Sequence, residues 1–247
     1  EADPNNQAAF LLIGLTIALY ELVLEKRYII LSIGTLIINT YTLFMTGSRG
    51  GLVGLAGVLL CIFFLSIRKM NIMKRLKILI AVCILVAGLL WIAVRFLPEE
   101  IFERLFNFDS YEGGSERTEI WGNVLELIFT RLNVIFGAGW GDYYGYNAMY
   151  KVVHNTFLSM WCDVGLLGVI LFFLPIAMVM LALLKRKDYL PILLIVCCFI
   201  PSFFIEAINK RFFWNVIFYL FISFVNWRDT ENDASQKNFS SQLSVRA

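Results

Sequence analysis

The chain has 247 residues, 59% of them hydrophobic and 16% charged, and a formal net charge of +2. That balance excludes an ordinary soluble domain with one core, because the apolar residues fall in long blocks, each near the about 20 residues needed to cross a bilayer. The small net charge excludes little by itself; the placement of the charges is the informative quantity.

Asp3-Pro4-Asn5-Asn6 reads as a loop leading into a helix. Seven apolar spans follow, over residues 8–24, 28–45, 52–67, 78–94, 156–184, 189–205 and 212–225. The first is not a secretory signal, since no basic stretch precedes it and no small-residue cleavage pattern follows it. The fifth is longer than a bilayer needs, and Asp163 places its first turns in the interface. The expected fold is an all-α integral membrane domain over residues 1–225, with an outer loop at 95–153. The polar tail, 226–247, is expected to be disordered.

Basic residues orient these spans. Lys26 and Arg27, then Arg68, Lys69, Lys74, Arg75 and Lys77, then Lys185, Arg186 and Lys187 crowd one set of short connections. The positive-inside rule puts that set, and the tail, in the cytoplasm. The other connections, 46–51, 95–153 and 206–211, then face outward. Cys61, Cys83, Cys162, Cys197 and Cys198 lie in apolar spans without metal-like spacing and read as small hydrophobes. The glycosylation sequon at Asn238 falls on the inner side and is set aside.

The outward face opens with "MTGSRGGLVGL", residues 45–55. An arginine at a helix centre costs about 2.5–3.5 kcal/mol on insertion scales. Taken alone, Arg49 reads as a side chain snorkelling to the headgroups. Gly47, Gly50 and Gly51 favour another reading, in which a helix or a ligand comes close to the guanidinium.

The 95–153 segment is long for a connector. In "FLPEEIFERLF", Pro98 stands near a helix start, with Glu99 and Glu100 at its positive end. Ile101, Phe102, Leu105 and Phe106 give that short helix an apolar face suited to the membrane surface. "NFDSYEGGS" reads as a flexible turn. "SERTEIWGNVLELIF" then predicts a second amphipathic helix, capped by Ser115, with Ile120, Trp121, Val124, Leu125 and Ile128 on one face. Arg117 lies in its first turn, where by itself it would be a solvated charge. "FGAGWGDYYGYN" has neither the strand nor the GK[ST] of a nucleotide loop and reads as a close-packed turn. "VVHNTFLSMWCDVGLLG" brings the only histidine, His154, to the start of the fifth span. Alone, it reads as an interfacial histidine satisfied by a neighbouring carbonyl.

Together, Arg49, Arg117 and His154 put two fixed cations and one titratable base on the same outer face. That set suits attack by a hydroxyl with an anionic diphosphate leaving. Arginine grips phosphate oxygens in a bidentate fork and keeps its charge. Neighbouring arginines would hold the histidine neutral and able to accept a proton.

"TGSRGGLVGL", "ERTEIW" with "FGAGWG" after it, "HNTFLSMWCDVGLLG" and the opening "ADPNNQAAFLL" stand in the order and rough spacing of the O-antigen ligase and polymerase family. The chain resembles that family from Glu1 to about Val225. The resemblance implies a membrane glycosyltransferase of the GT-C type in the bacterial cytoplasmic membrane, multi-pass, with its active site facing the periplasm or the cell exterior. Its donor would be a glycan on undecaprenyl diphosphate, and its acceptor a glycan or a lipid. Arg49 of the SRG motif and Arg117 of the R-x-x-x-W motif would bind the diphosphate. His154 of the HN motif would act as general base, with inversion at the anomeric carbon. Asn155, next to it in sequence, could orient the histidine as a supporting residue, a reading from the residues and not from the resemblance. No metal or other cofactor is implied, and no nucleic-acid partner; proteins of envelope polysaccharide assembly are possible partners. Family members carry ten or more spans, so seven here imply the C-terminal part of a longer chain. Polymerases and ligases share these motifs.

Glu206, Lys210 and Arg211 in "FFIEAINKRFFW" could touch sugars or the diphosphate, although a charged turn between two spans is the simpler reading. Arg211 is carried as a further supporting residue. Trp140, Tyr143, Tyr144 and Tyr146 could stack on sugar rings, but aromatics near an interface are expected in any case. The alternative function is transport: a flippase for an anionic or lipid-linked glycan with Arg49 as anion site, although no repeat is evident. A noncatalytic scaffold and a paired-carboxylate hydrolase built on Glu99, Glu100, Glu103, Glu116 and Glu119 are further alternatives, the last better explained by polar helix faces.

Overall fold

Pro4 at the first helical position, with the Asp3 carboxylate accepting the Asn5 amide at 2.9 Å, starts helix α1 (Pro4–Tyr20), which ends in a π-turn at Glu21–Glu25. The computed structural model describes residues 3–67, 73, 76, 80, 95, 97–106, 115–141 and 152–246. Within them follow α2 (Ile29–Met45), α3 (Arg49–Ile67), α4 (Glu99–Phe106), α5 (Ser115–Thr130), α6 (Thr156–Arg186), α7 (Leu190–Phe199) and α8 (Arg211–Arg246). A 3-10 turn, Pro201–Phe203, follows α7. Among the described residues the sole β-type pairing is an isolated bridge between Asn133 and Gly137.

The chain is thus all-helical where described. Pro4–Glu25, Arg49–Ile67 and Thr156–Arg186 are long and apolar enough to cross a membrane, and Ile29–Met45 and Leu190–Phe203 are shorter apolar helices. The expected fourth span, 78–94, lies outside the described residues except for Ile80, as do residues 107–114 and 142–151.

Three details differ from the sequence expectation. Helix α3 begins at Arg49 rather than at residue 52, because the Ser48 hydroxyl accepts the Gly51 amide at 3.1 Å and so starts the helix ahead of its apolar block. The stretch after Asn226, expected to be disordered, continues α8 to Arg246. It contains no glycine or proline, so no residue there forces the backbone out of the helix. On α5, Leu125 is 37% exposed while Leu127 is only 8% exposed, so the buried stripe is rotated from the one expected.

Helix α1 packs against α2, α3 and α7; α7 also meets α8, which in turn packs on α6. Ala8, Ala9, Leu12 and Leu15 of α1 are fully buried in one core with Leu43, Val58, Leu183, Leu193, Phe213 and Leu220. Small residues set the α1–α3 distance. A Cβ at Gly51 would come 2.6 Å from the Ala8 Cβ, and one at Gly54 would come 2.6 Å from Leu12 Cδ1. A second core joins Ile120, Val124 and Ile128 of α5 to Val153 and Cys162, so α5 is docked on the start of α6.

Helix α6 breaks at Gly165, whose φ of 67° and ψ of 179° are open to glycine and strained for other residues. The 131–141 loop satisfies the freed backbone groups. The Ala138 and Gly139 amides donate to the carbonyls of Cys162 and Asp163, and the Leu166 and Leu167 amides donate to those of Val134 and Ile135. The Asp163 carboxylate accepts the Gly141 amide at 2.9 Å. The described part of the glycine-rich stretch, residues 136–141, is therefore packed closely against the break in α6.

Candidate functional site

Arg49 is the first residue of α3, and its surroundings are tied down on both sides. The Ser48 hydroxyl donates to Asn5 Oδ1 at 2.8 Å, joining the start of α3 to the start of α1. The Thr46 hydroxyl accepts the Ser48 amide at 3.2 Å and donates to the Leu43 carbonyl at 2.7 Å. Gly47 turns the chain with φ of 61°, and a Cβ there would lie 3.0 Å from Arg104 Cδ. Arg49 Nε donates to the Arg104 carbonyl at 2.9 Å. The half-buried guanidinium is thus held against α4 rather than released to a headgroup layer.

Arg117 lies in the first turn of α5 and is also half-buried. One turn later on the same face, Trp121 Nε1 donates to the Val153 carbonyl at 2.9 Å. Val153 is fully buried and immediately precedes His154. The spacing of arginine and tryptophan thus has a structural reason: one helical face carries the cation and the tether for the histidine segment.

His154 takes a left-handed backbone, φ 48°, before Asn155 returns to an extended conformation and caps α6. The Asn155 Oδ1 accepts the Phe157 and Leu158 amides at 3.0 and 3.1 Å. This cap fixes the backbone turn that follows His154. Thr156, fully buried, stitches the start of α6 to the connection before α8: its hydroxyl donates to the Ile205 carbonyl and accepts the Ala207 amide, both at 2.7 Å. Ser159 Oγ donates to Glu206 Oε1 at 3.2 Å.

These links bring charges from five chain segments to one end of the helices. Burial lowers the Arg117 pKa; Asp3 opposes that shift, and Arg104 and Arg49 add to it. An arginine remains charged through shifts of this kind. Burial also lowers the His154 pKa and is the largest cause, with Arg117 next, while Asp3 and Glu206 pull the other way. The sequence pointed to neighbouring arginines alone; desolvation outweighs them. The arrangement offers fixed positive charge beside a neutral imidazole.

Arg49, Arg117 and His154 thus converge. Arg211, at the start of α8, is exposed and is not among the charges acting on Arg117 or His154. Trp140 is exposed, and Tyr143, Tyr144 and Tyr146 lie outside the described residues. Sequence reasoning did not single out Arg104, and it read Asp3 only as a loop residue. It placed Trp121 on an apolar face and in the R-x-x-x-W motif, without a hydrogen-bonding role. The four-residue step from Arg117 to Trp121 was the available signal for the tether; Arg104 had none, since Gly47 meets it from a distant part of the chain. Among the described residues, no group of three or more histidine, cysteine, aspartate or glutamate side chains forms a metal-ligand set.

A family model described as O-antigen ligase matches residues 34–173, over half the chain, and that stretch carries Arg49, Arg104, Arg117 and His154. No curated protein and no solved structure matches the chain.

Proposed function

The chain belongs to the O-antigen ligase family, and from that premise we propose that it is a bacterial membrane glycosyltransferase moving a glycan from undecaprenyl diphosphate to an acceptor hydroxyl. The observation that carries this reading is the convergence of Arg49, Arg117 and His154 from three separate elements. In it, the guanidinium groups of Arg49 and Arg117 bind the diphosphate, with Arg104 beside them. His154 removes the acceptor proton as the hydroxyl oxygen bonds to the anomeric carbon from the side opposite the leaving group. The carbon–oxygen bond to the diphosphate breaks, and its electron pair leaves with the undecaprenyl diphosphate. Attack from that side inverts the anomeric centre.

The arginines supply the positive charge that a leaving diphosphate needs, so the mechanism calls for no metal ion. The site opens to the periplasm or the cell exterior in this reading, which the distribution of basic residues supports under the positive-inside rule. The test is a transfer assay in lipid with an undecaprenyl-diphosphate glycan and a chelator, comparing wild type with His154→Ala. Product from wild type alone supports the reading, and product length separates a polymerase from a ligase. Equal product from both removes His154 as the base. No product from either, together with uptake of an anionic glycan lipid into vesicles, would replace transfer with transport.

A further inference from the structure

Resting on that reading, we propose that Glu206 is the positioning and charge-balancing partner of His154, held beside it by Thr156 and Ser159. Thr156 lies two residues after His154 and bonds to both chain neighbours of Glu206, accepting the Ala207 amide and donating to the Ile205 carbonyl. Ile205, Ala207 and Thr156 are all buried, so the backbone on either side of the carboxylate is fixed. Ser159, less than a turn further along α6 and 1% exposed, then donates its hydroxyl to Glu206 Oε1 at 3.2 Å. A short, twice-bonded segment thus carries one acid to the histidine, from a connection about 50 residues away in sequence.

The charges around the imidazole explain what that acid does. Arg117 approaches from α5 and disfavours a protonated ring; Glu206, before α8, and Asp3, before α1, favour it. Arg49 and Arg104 act on Arg117. When the imidazole takes the acceptor proton it becomes a cation beside an arginine. Glu206 offsets that repulsion, as a carboxylate does for a catalytic histidine in other enzymes. The proton then leaves the ring to solvent after the diphosphate has departed, so the residue returns to its starting state. Glu206 touches neither sugar nor diphosphate in this role.

His154 is the only histidine in the chain, so histidine-labelled protein in nanodiscs gives one imidazole signal from it, assigned by its loss in His154→Gln. Titrated by NMR, the imidazole midpoint should fall by roughly 0.5 to 1 pH unit in Glu206→Gln relative to wild type, because a stabilising negative charge is gone. Glu206→Asp should recover much of the difference. Ser159→Ala, which frees the carboxylate but keeps its charge, should move the midpoint the same way by less, and it carries the test if Glu206→Gln does not fold. In transfer assays Glu206→Gln should lower kcat and move the acid limb of the pH profile down, with the donor KM little changed. An imidazole midpoint that stays at the wild-type value in both variants overturns the proposal. If the midpoint falls while wild type transfers no glycan, the pairing stands and the transferase reading is what fails.

Discussion

Replacing Trp121 by phenylalanine tests whether the histidine is held in place from α5. The phenyl ring keeps most of the packing against the Ile120, Val124 and Ile128 core but removes the donor that reaches the Val153 carbonyl at 2.9 Å. Val153 is 0% exposed, so water has poor access to the carbonyl that loses its partner. A buried acceptor left unpaired costs about 1–3 kcal/mol. If that cost falls on the arrangement placing His154 beside Arg117, the productive population drops roughly 5- to 150-fold, at about 1.4 kcal/mol per factor of ten. Steady-state transfer in proteoliposomes should show the loss in kcat, with the donor KM nearly unchanged because Arg49 and Arg117 remain. Thermal unfolding of the same preparation should show only a modest decrease. A Trp121→Phe protein that transfers at the wild-type rate would refute the tether.

Other substitutions probe the rest of the site. Arg49→Lys and Arg117→Lys keep the charge but lose the fork, and each should lower kcat/KM for the donor by about tenfold or more; near-normal values would count against bidentate phosphate binding. Arg104→Gln should raise the donor KM several-fold while kcat at saturation holds, measured by donor titration. Gly51→Ala puts a Cβ 2.6 Å from that of Ala8 and should destabilise the α1–α3 contact by about 1–3 kcal/mol. An unchanged unfolding temperature in detergent would contradict that contact. Because burial and Arg117 lower the His154 pKa, the base is neutral at pH 7, and rate should be lost only on acidification, with a midpoint below the ordinary histidine value of about 6.5. An acid limb centred above that value would contradict the assignment.

Much of this protein is legible in one dimension because its physics is local. Apolar blocks of bilayer length marked α1, α2, α3, α6 and α7, and Pro98, Ser115 and the periodicity after them marked the two short helices α4 and α5. Arg49, Arg117 and His154 stood out because charged or titratable groups next to apolar spans are costly and need a reason to be there. Boundaries were less legible where a side-chain bond, not hydropathy, sets them, as Ser48 does for α3.

What the sequence alone determined, then, is a helical chain whose costly polar groups lie near the ends of apolar segments, and the chemistry those groups suit. Only the tertiary structure decided that Arg104 sits against Gly47, that Trp121 fastens the histidine segment, and that Thr156 ties the connection carrying Glu206 to the start of α6. These contacts join residues from 32 to 57 positions apart. A helix reports its own period and caps, but which distant residue meets an end of it is decided when helices pack closely enough to bury their small residues against one another.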